Sequence, residues 1–428
     1  MFLKTIRAEA RARQPTPMAS LFSESPPGDN SMTTIRKLAP TALALASALA
    51  AGSAHAVDFG GYFRAGPGAT KKDASRACYG LSGPGLKYRL GNECDFYGEF
   101  LLSHTGKVDE VEYKAHLMTN LYNGGTDTED EKVGINQMYV EGKGFDIAPN
   151  TSFWIGKRFY HRADVHIVDT FYTNLSGVGA GADGIVDVAG GKLNLAFFRT
   201  DNDNSPGSRL NLSLAGMGVN PGGKLTVVGT YTKGQFSATP TEAAGTNGFG
   251  LGLQHTQAIG DKITNNLWLQ YAQGSAGLDG NFGDLNAPSA ARGMRVVESV
   301  NWQMGPFGGQ AQAMFQQDKA EGGAKTNSAT LGGRVSYAVS KHLKLLAEAG
   351  YSQKKPDGSA TQKLTKLTVG PALSTGPGFF TRPELRLYVT SAKWNDAANA
   401  AAGAGGVTGI GDGKTSGTSY GAQVEVWF

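Results

Sequence analysis

An all-β chain folded as a transmembrane antiparallel β-barrel, with short turns at one end and long loops at the other, is the architecture this sequence predicts. Three observations carry that reading. Short segments alternate apolar and polar residues, polar stretches of two sizes separate them, and the last segment ends in an aromatic residue, Phe428. Period two marks strands with unlike faces. Alternating tight turns and long loops fit an outer-membrane barrel better than a soluble sandwich. The composition agrees: 61 glycines in 428 residues is roughly twice the usual share and works against long packed helices. The 15 Tyr, 20 Phe and 5 Trp exceed what a solvated coil carries. A 40% AVILMFWYC fraction and a mean hydropathy of −0.27 exclude a helical membrane protein, whereas a barrel needs only one apolar face per strand.

From the N-terminus, residues 1–31, with Pro15, Pro17, Pro26 and Pro27, read as an extension from a start codon assigned too early. Residues 32–56 read as a secretory signal peptide. They have a basic start (Arg36, Lys37), an apolar run Leu38–Ala51 too short to be a spanning helix, and the small-residue ending Ala54-His55-Ala56. Cleavage is expected between Ala56 and Val57, leaving 57–428 as one barrel domain in the outer membrane of a Gram-negative bacterium. Lys4, Arg7, Arg11, Arg13, Arg36 and Lys37 against Glu9, Glu24 and Asp29 place +3 of the formal +4 in the leading segments. The remainder is near neutral, which gives a nucleic-acid partner no electrostatic support. Cys78 and Cys94 bracket a turn containing Gly80, Gly83, Pro84 and Gly85. In an exported chain such a pair suggests a disulfide closing a small loop, with two free thiols as the alternative; a zinc site would need further ligands at suitable spacing.

The strands follow in order. Leu193, Leu195 and Phe197 alternate with Lys192, Asn194 and Ala196; Leu225, Val227, Gly229 and Tyr231 share one parity; Leu267, Leu269 and Tyr271 oppose Trp268 and Gln270. Leu343, Leu345, Ala347, Ala349 and Tyr351 alternate with Lys344 and Glu348, and Leu385, Leu387 and Val389 with Glu384, Arg386 and Tyr388. Asn220-Pro221-Gly222-Gly223 is a tight turn; Asp201 to Ser208, Gly274 to Arg292 and Ala397 to Ser419 are long loops. At the C-terminus Tyr420, Val424, Val426 and Phe428 face lipid, opposite Gln423, Glu425 and Trp427. At about 10 residues per strand, the mature length allows about 16 to 18 strands, wide enough for an aqueous channel.

Val57-Asp58-Phe59-Gly60-Gly61-Tyr62-Phe63-Arg64 resembles the first mature strand of the maltoporin family, the sugar-selective trimeric porins. Lys87 to Cys94, following Cys78 at the family's cysteine spacing, is similar to its first loop and second strand. Trp154 to His166 with Leu175-Ser176-Gly177 resembles its third-loop region. Asn220-Pro221-Gly222-Gly223, Gln254-His255-Thr256-Gln257, Arg382-Pro383, Ala392-Lys393-Trp394 and Gly421 to Phe428 continue the resemblance to the end. It implies an 18-stranded barrel, a homotrimer in outer-membrane lipid, no cofactor, and passive diffusion of maltooligosaccharides or related sugars. It also implies an aromatic slide beside a polar track. A pyranose offers an apolar CH face to a ring and hydroxyls to charged or amide partners, and repeated weak sites let a glucan slide.

By motif position Tyr62 and Tyr97 are similar to the first slide residues and Trp427 to the last. Phe380 stands where the family has Trp, and Phe249 or Leu251 where it has Phe. Parity agrees for Tyr62 and Arg64, opposite Phe63, and for Trp427, opposite Phe428; Phe380, Arg382, Glu384 and Arg386 share one parity. Arg64, Arg89, Glu99, Arg162, Asp164 and Asp169 match the polar track, and Phe171 takes the place of a constriction Tyr. Asn136 replaces a track Arg, Asn174 an Asp, and Tyr122 to Asp130 lacks the Trp that the family's second loop lends to a neighbouring subunit. These departures leave a less selective or sucrose-type porin open.

Lipid-side aromatic girdles are the alternative role for each slide residue, and solvated wall for each track residue. His161, Asp164 and His166 do not share a strand face as a metal site would require. Glu99 with Asp164 is no glycosidase pair without a set separation, and there is no Ser-His-Asp or phosphate-loop pattern. A surface adhesin or receptor barrel, in which the long loops do the work, is the alternative function. The residues identify neither a phage nor a periplasmic binding protein as partner.

Overall fold

The computed structural model describes residues 57–71, 74–124, 132–200 and 205–428. The expected leader and extension, Ala56 included, lie outside the described residues, as do 72–73 of the first loop, 125–131 of the second and 201–204 of the fourth. The barrel strands are β1 (Val57–Ala65), β2 (Phe96–Val108), β3 (Val111–Asn123), β4 (Lys132–Lys143), β5 (Ser152–Arg158), β6 (Gly177–Asp183), β7 (Gly191–Thr200), β8 (Gly207–Asn220) and β9 (Gly223–Gly234). They continue as β10 (Asn247–Ile259), β11 (Ile263–Gly274), β12 (Arg292–Met304), β13 (Phe307–Lys319), β14 (Lys325–Ala338), β15 (Leu343–Pro356), β16 (Gln362–Ser374), β17 (Glu384–Trp394) and β18 (Ser416–Trp427). Each pairs antiparallel with the next, and β18 returns to β1 through Tyr62↔Trp427 and Arg64↔Glu425, closing an 18-stranded barrel with no free edge.

Alternation sets the two faces. On β17 Leu385, Leu387 and Val389 are exposed outward, while Glu384, Arg386 and Tyr388 are buried inward. The same split holds on β15, where Leu345 and Tyr351 face out and Lys344 and Glu348 face in. Phe428 packs on outward Phe59 at 5.2 Å, so the terminal aromatic is on the lipid side and Trp427 on the other. Connections such as 109–110, 221–222, 260–262 and 305–306 lie at one end with Val57 and Phe428, and 66–95, 159–176, 275–291 and 395–415 at the other. The first end is periplasmic and the second external by the usual asymmetry. The size rule is not strict, because 375–383 is long on the periplasmic side and 320–324 short on the external side. Gly222, at φ +76°, supplies the left-handed residue of its turn. The one described helix, α1 (Asp396–Ala401), is capped by Asn395 in the last loop; no described helix is long and apolar enough to cross a membrane.

Three external loops fold into the barrel. In 66–95 a Cys78–Cys94 disulfide joins Cα atoms 5.9 Å apart, and the Asn92 amide donates to the Tyr79 and Tyr88 carbonyls. Tyr79 stacks on Trp394. Tyr88 lies over the paired Gly332 and Gly350, where a Cβ would come within 2.4 and 2.0 Å of its ring, so only glycine fits there. Leu90 N–H donates to Glu348 at 2.8 Å and its carbonyl accepts from Lys366 at 2.7 Å. In 159–176 Ile167 N–H donates to Gln310 and the Tyr172 hydroxyl to Gln312. Loop 275–291 accepts from Asn174 N–H at Asp279 and from Asn211 at Gly280. Buried loop backbone is thus matched by inward wall side chains, as an unhydrated interior requires.

Candidate functional site

Around the seam where β18 meets β1 and β2, Tyr62, Tyr97, Glu99 and Trp427 keep part of their surface open, while Glu425 and Gln423 beside them are buried. Tyr62 and Tyr97 stand on adjacent strands with ring centroids 6.3 Å apart, and Trp427 is directly opposite Tyr62. Phe380 joins them from the periplasmic turn 375–383: the His166 ring lies edge-on to Phe380 at 5.7 Å and to Trp427 at 5.8 Å. Arg382 sits over the Trp427 ring at 4.5 Å. The result is a line of aromatic rings with part of each open to the lumen.

Charged groups run alongside. Arg64 pairs with Glu93 (3.1 Å), Asp95 (2.7 Å) and Asp169 (3.1 Å); Arg89 pairs with Glu93 (2.7 Å) and Glu425 (3.1 Å) and donates to the Tyr62 hydroxyl at 2.8 Å. Glu425 also takes Arg382 (2.8 Å) and Arg386 (2.6 Å). Asp169, at φ +50°, ends the 3₁₀ turn His166–Val168 and stays 43% exposed while tied to Arg64, which pins the third loop to the wall and leaves carboxylate surface in the lumen. The Tyr97 hydroxyl donates to Glu99 (2.6 Å), and the Asn136 amide donates to both.

Arg162 makes no ion pair among the described residues; its guanidinium lies between the rings of Phe159 (3.9 Å) and Phe171 (3.7 Å). Asp164 is exposed to the lumen beside it. Although open to the lumen, the Asp164 carboxyl is enclosed by the barrel interior, and the reduced hydration there, with the Asp169 charge nearby, pushes it above the usual carboxylate range. Burial likewise holds the His166 imidazole well below its ordinary value, so the ring between Phe380 and Trp427 is neutral at pH 7. Phe171 and Asp169 also border an external vestibule of about 810 Å³, walled farther round by Leu278, Asp279, Arg295 and Asp318.

Two sequence expectations are corrected. Phe249 and Leu251 point outward: they are 51% and 49% exposed and pair with the outward Tyr231 and Tyr271, while Gly248, Gly250 and Gly252 hold the inward row. They belong to the lipid face. Phe380 reaches the lumen, but not by strand parity, because β17 begins only at Glu384. Side chains that sequence reading did not select for the site include Glu93, Asp95, His166, Arg382, Arg386 and Glu425. Glu425 shares a parity with Trp427, and Arg386 with Glu384, so those two were within reach of the same parity argument. Glu93 and Asp95 carry no such signal because a loop delivers them.

The LamB porin family model matches residues 57–428. Among solved structures, an anion-selective porin from Comamonas acidovorans is 14% identical, with 87% of this chain and 99% of that chain covered and a TM-score of 0.47. OccD3 (OpdP) of Pseudomonas aeruginosa is 8% identical, with 87% and 91% covered and a TM-score of 0.48. OmpT of Vibrio cholerae in its trimer form is 11% identical, with 87% and 99% covered and a TM-score of 0.42. By a family match that runs the length of the barrel, this chain belongs to the LamB porins, as a multi-pass β-barrel of the outer membrane.

Proposed function

We propose that the barrel is a passive channel for neutral oligosaccharides, maltodextrin-type glucans foremost, which slide along Tyr62, Tyr97, Phe380 and Trp427 while Glu99, Arg162, Asp164 and Asp169 exchange hydrogen bonds with their hydroxyls and the largely buried Arg64 and Arg89 hold Asp169 and Tyr62 in place. The observation that carries this reading is the adjacency of the open ring line and the charged row at one seam. A pyranose needs both at once, an apolar face for its CH groups and polar partners at its rim. Each contact is weak and repeated, so the sugar binds without being trapped. Phe171, clamped by Arg162, narrows the passage. The protein works as a homotrimer after removal of residues 32–56 as a leader, and it performs no bond-breaking chemistry.

A second reading, a less selective or sucrose-type pore, is favoured by Asn136, which occupies one side of Glu99 with a neutral amide. Planar-bilayer current with maltooligosaccharides added to one side tests the proposal. Saturable block that strengthens with chain length up to maltohexaose is the expected result. If no sugar in the series reduces the current, sugar binding is refuted; equal block by sucrose and maltohexaose would favour the second reading. Migration as a monomer without heating after detergent extraction would refute the trimer.

A further inference from the structure

The outward row of the barrel changes character at the external end of β12–β17. Below, it is apolar and exposed, with Met294, Phe315, Leu331, Leu367 and Val389. Above them on the same parity stand Arg292, Lys319, Lys325, Lys355, Lys363 and Lys393. Arg292 is directly opposite Lys319, and Lys319 directly opposite Lys325. Like charges facing one another across strands are destabilising unless an anion lies between them. Yet none of the six side chains makes an ion pair among the described residues, although Asp318, Glu321 and Asp357 are near in sequence. Asp318 has inward parity and takes Gln316, and Asp357 accepts from the Lys325 backbone. Single bases also stand on the outward row at the external ends of β5, β7 and β9 (Lys157, Arg199 and Lys233), but each faces uncharged residues across its strands, so the direct opposition of cations belongs to β12–β14.

We propose that this basic rim seats the phosphate groups of phosphorylated glycolipid in the outer leaflet, with the acyl chains lying on the apolar row beneath. The charge complements the lipid headgroup, and the position of the rim just above the hydrocarbon band sets the depth. The opposed Arg292–Lys319–Lys325 series is then relieved by bridging phosphates, which accept charge-assisted hydrogen bonds from several donors at once.

The test uses full-length protein extracted from outer membranes and delipidated in detergent, titrated with bisphosphorylated lipid A and followed by native mass spectrometry. Wild type is expected to hold this lipid at least about tenfold more tightly than does the Arg292→Gln/Lys319→Gln/Lys325→Gln variant. Lys319→Arg should bind like wild type, and so should Lys143→Gln/Lys224→Gln, which removes two charges at the periplasmic end. Dephosphorylated lipid A should show no preference for wild type, and inorganic phosphate at equal phosphate concentration should not displace the bound lipid. Equal binding by wild type and the triple variant, or equal retention of dephosphorylated lipid, overturns the proposal. Arg292, Lys319 and Lys325 also border the vestibule. A triple variant that alters only the ion selectivity of the pore would assign these bases to solute passage instead of lipid.

Discussion

The two sides of the lumen wall carry similar inward chemistry and put it to different ends. On β8–β17, Arg209, Arg334, Lys344, Glu348 and Lys366 are each 2% exposed or less, because the infolded loops, and for Lys344 the periplasmic turn 375–383, lie over them. At the β18–β1–β2 seam, Tyr62, Tyr97 and Glu99 are half-buried, Asp169 is 43% exposed and Trp427 36% exposed. An inward charge is therefore a candidate solute contact only where no loop covers it; elsewhere it fixes a loop. Glu348 illustrates the second role. It binds Arg334 at 2.7 Å, Lys366 at 2.8 Å and the Leu90 N–H at 2.8 Å, joining two strands to the first loop.

The largest effect is expected on the covered side. Glu348→Ala leaves two buried cations and a buried N–H unmatched, a loss of about 3–5 kcal/mol by analogy with broken buried ion pairs. Heat-modifiable mobility should show unfolding at a lower temperature. Wild-type thermal stability would mean that Arg334 and Lys366 do not depend on Glu348. Next comes the clip on the first loop: Cys78→Ser/Cys94→Ser should lower stability by about 3 kcal/mol for a loop of this length. It should also raise the fluctuation of the single-channel current as the loop loosens; a quiet channel of unchanged stability would contradict the loop's role as a fixed wall.

The smallest effect is on the open side. Asp164 protonates ahead of ordinary carboxylates because its carboxyl is pushed up. As pH falls from neutral, the ion selectivity of wild type should move toward anions early, with Asp164 and the likewise raised Asp279 of the vestibule protonating ahead of ordinary carboxylates. Asp164→Asn should show a smaller early shift than wild type, and reversal potentials across a salt gradient measure it. Identical profiles would remove Asp164 from the conducting path.

Much of this contrast was legible from the chain. Period two separated the faces of β15, β17 and β18, and the position of Trp427 opposite Phe428 placed one aromatic in the lumen and the other on lipid. What alternation could not reveal is which inward residues a loop would cover, since that depends on contacts such as Tyr88 on Gly332 and Gly350, far apart in sequence. Phe249 and Leu251 show the limit of motif position taken without parity: the glycines at 248, 250 and 252 mark the inward row and leave the aromatic outside. Phe380 shows the converse, a residue placed by a turn where strand parity does not apply.

The central claim is that the open seam, and not aromatic content in general, binds the sugar. It is tested most directly by the half-blocking concentration of maltohexaose for Trp427→Ala beside Phe249→Ala in the same planar bilayer. Loss of one ring contact worth about 0.5–1.5 kcal/mol predicts roughly a two- to tenfold rise for Trp427→Ala, and the lipid-facing Phe249→Ala should match wild type. An unchanged value for Trp427→Ala, or a comparable rise for Phe249→Ala, would contradict the account.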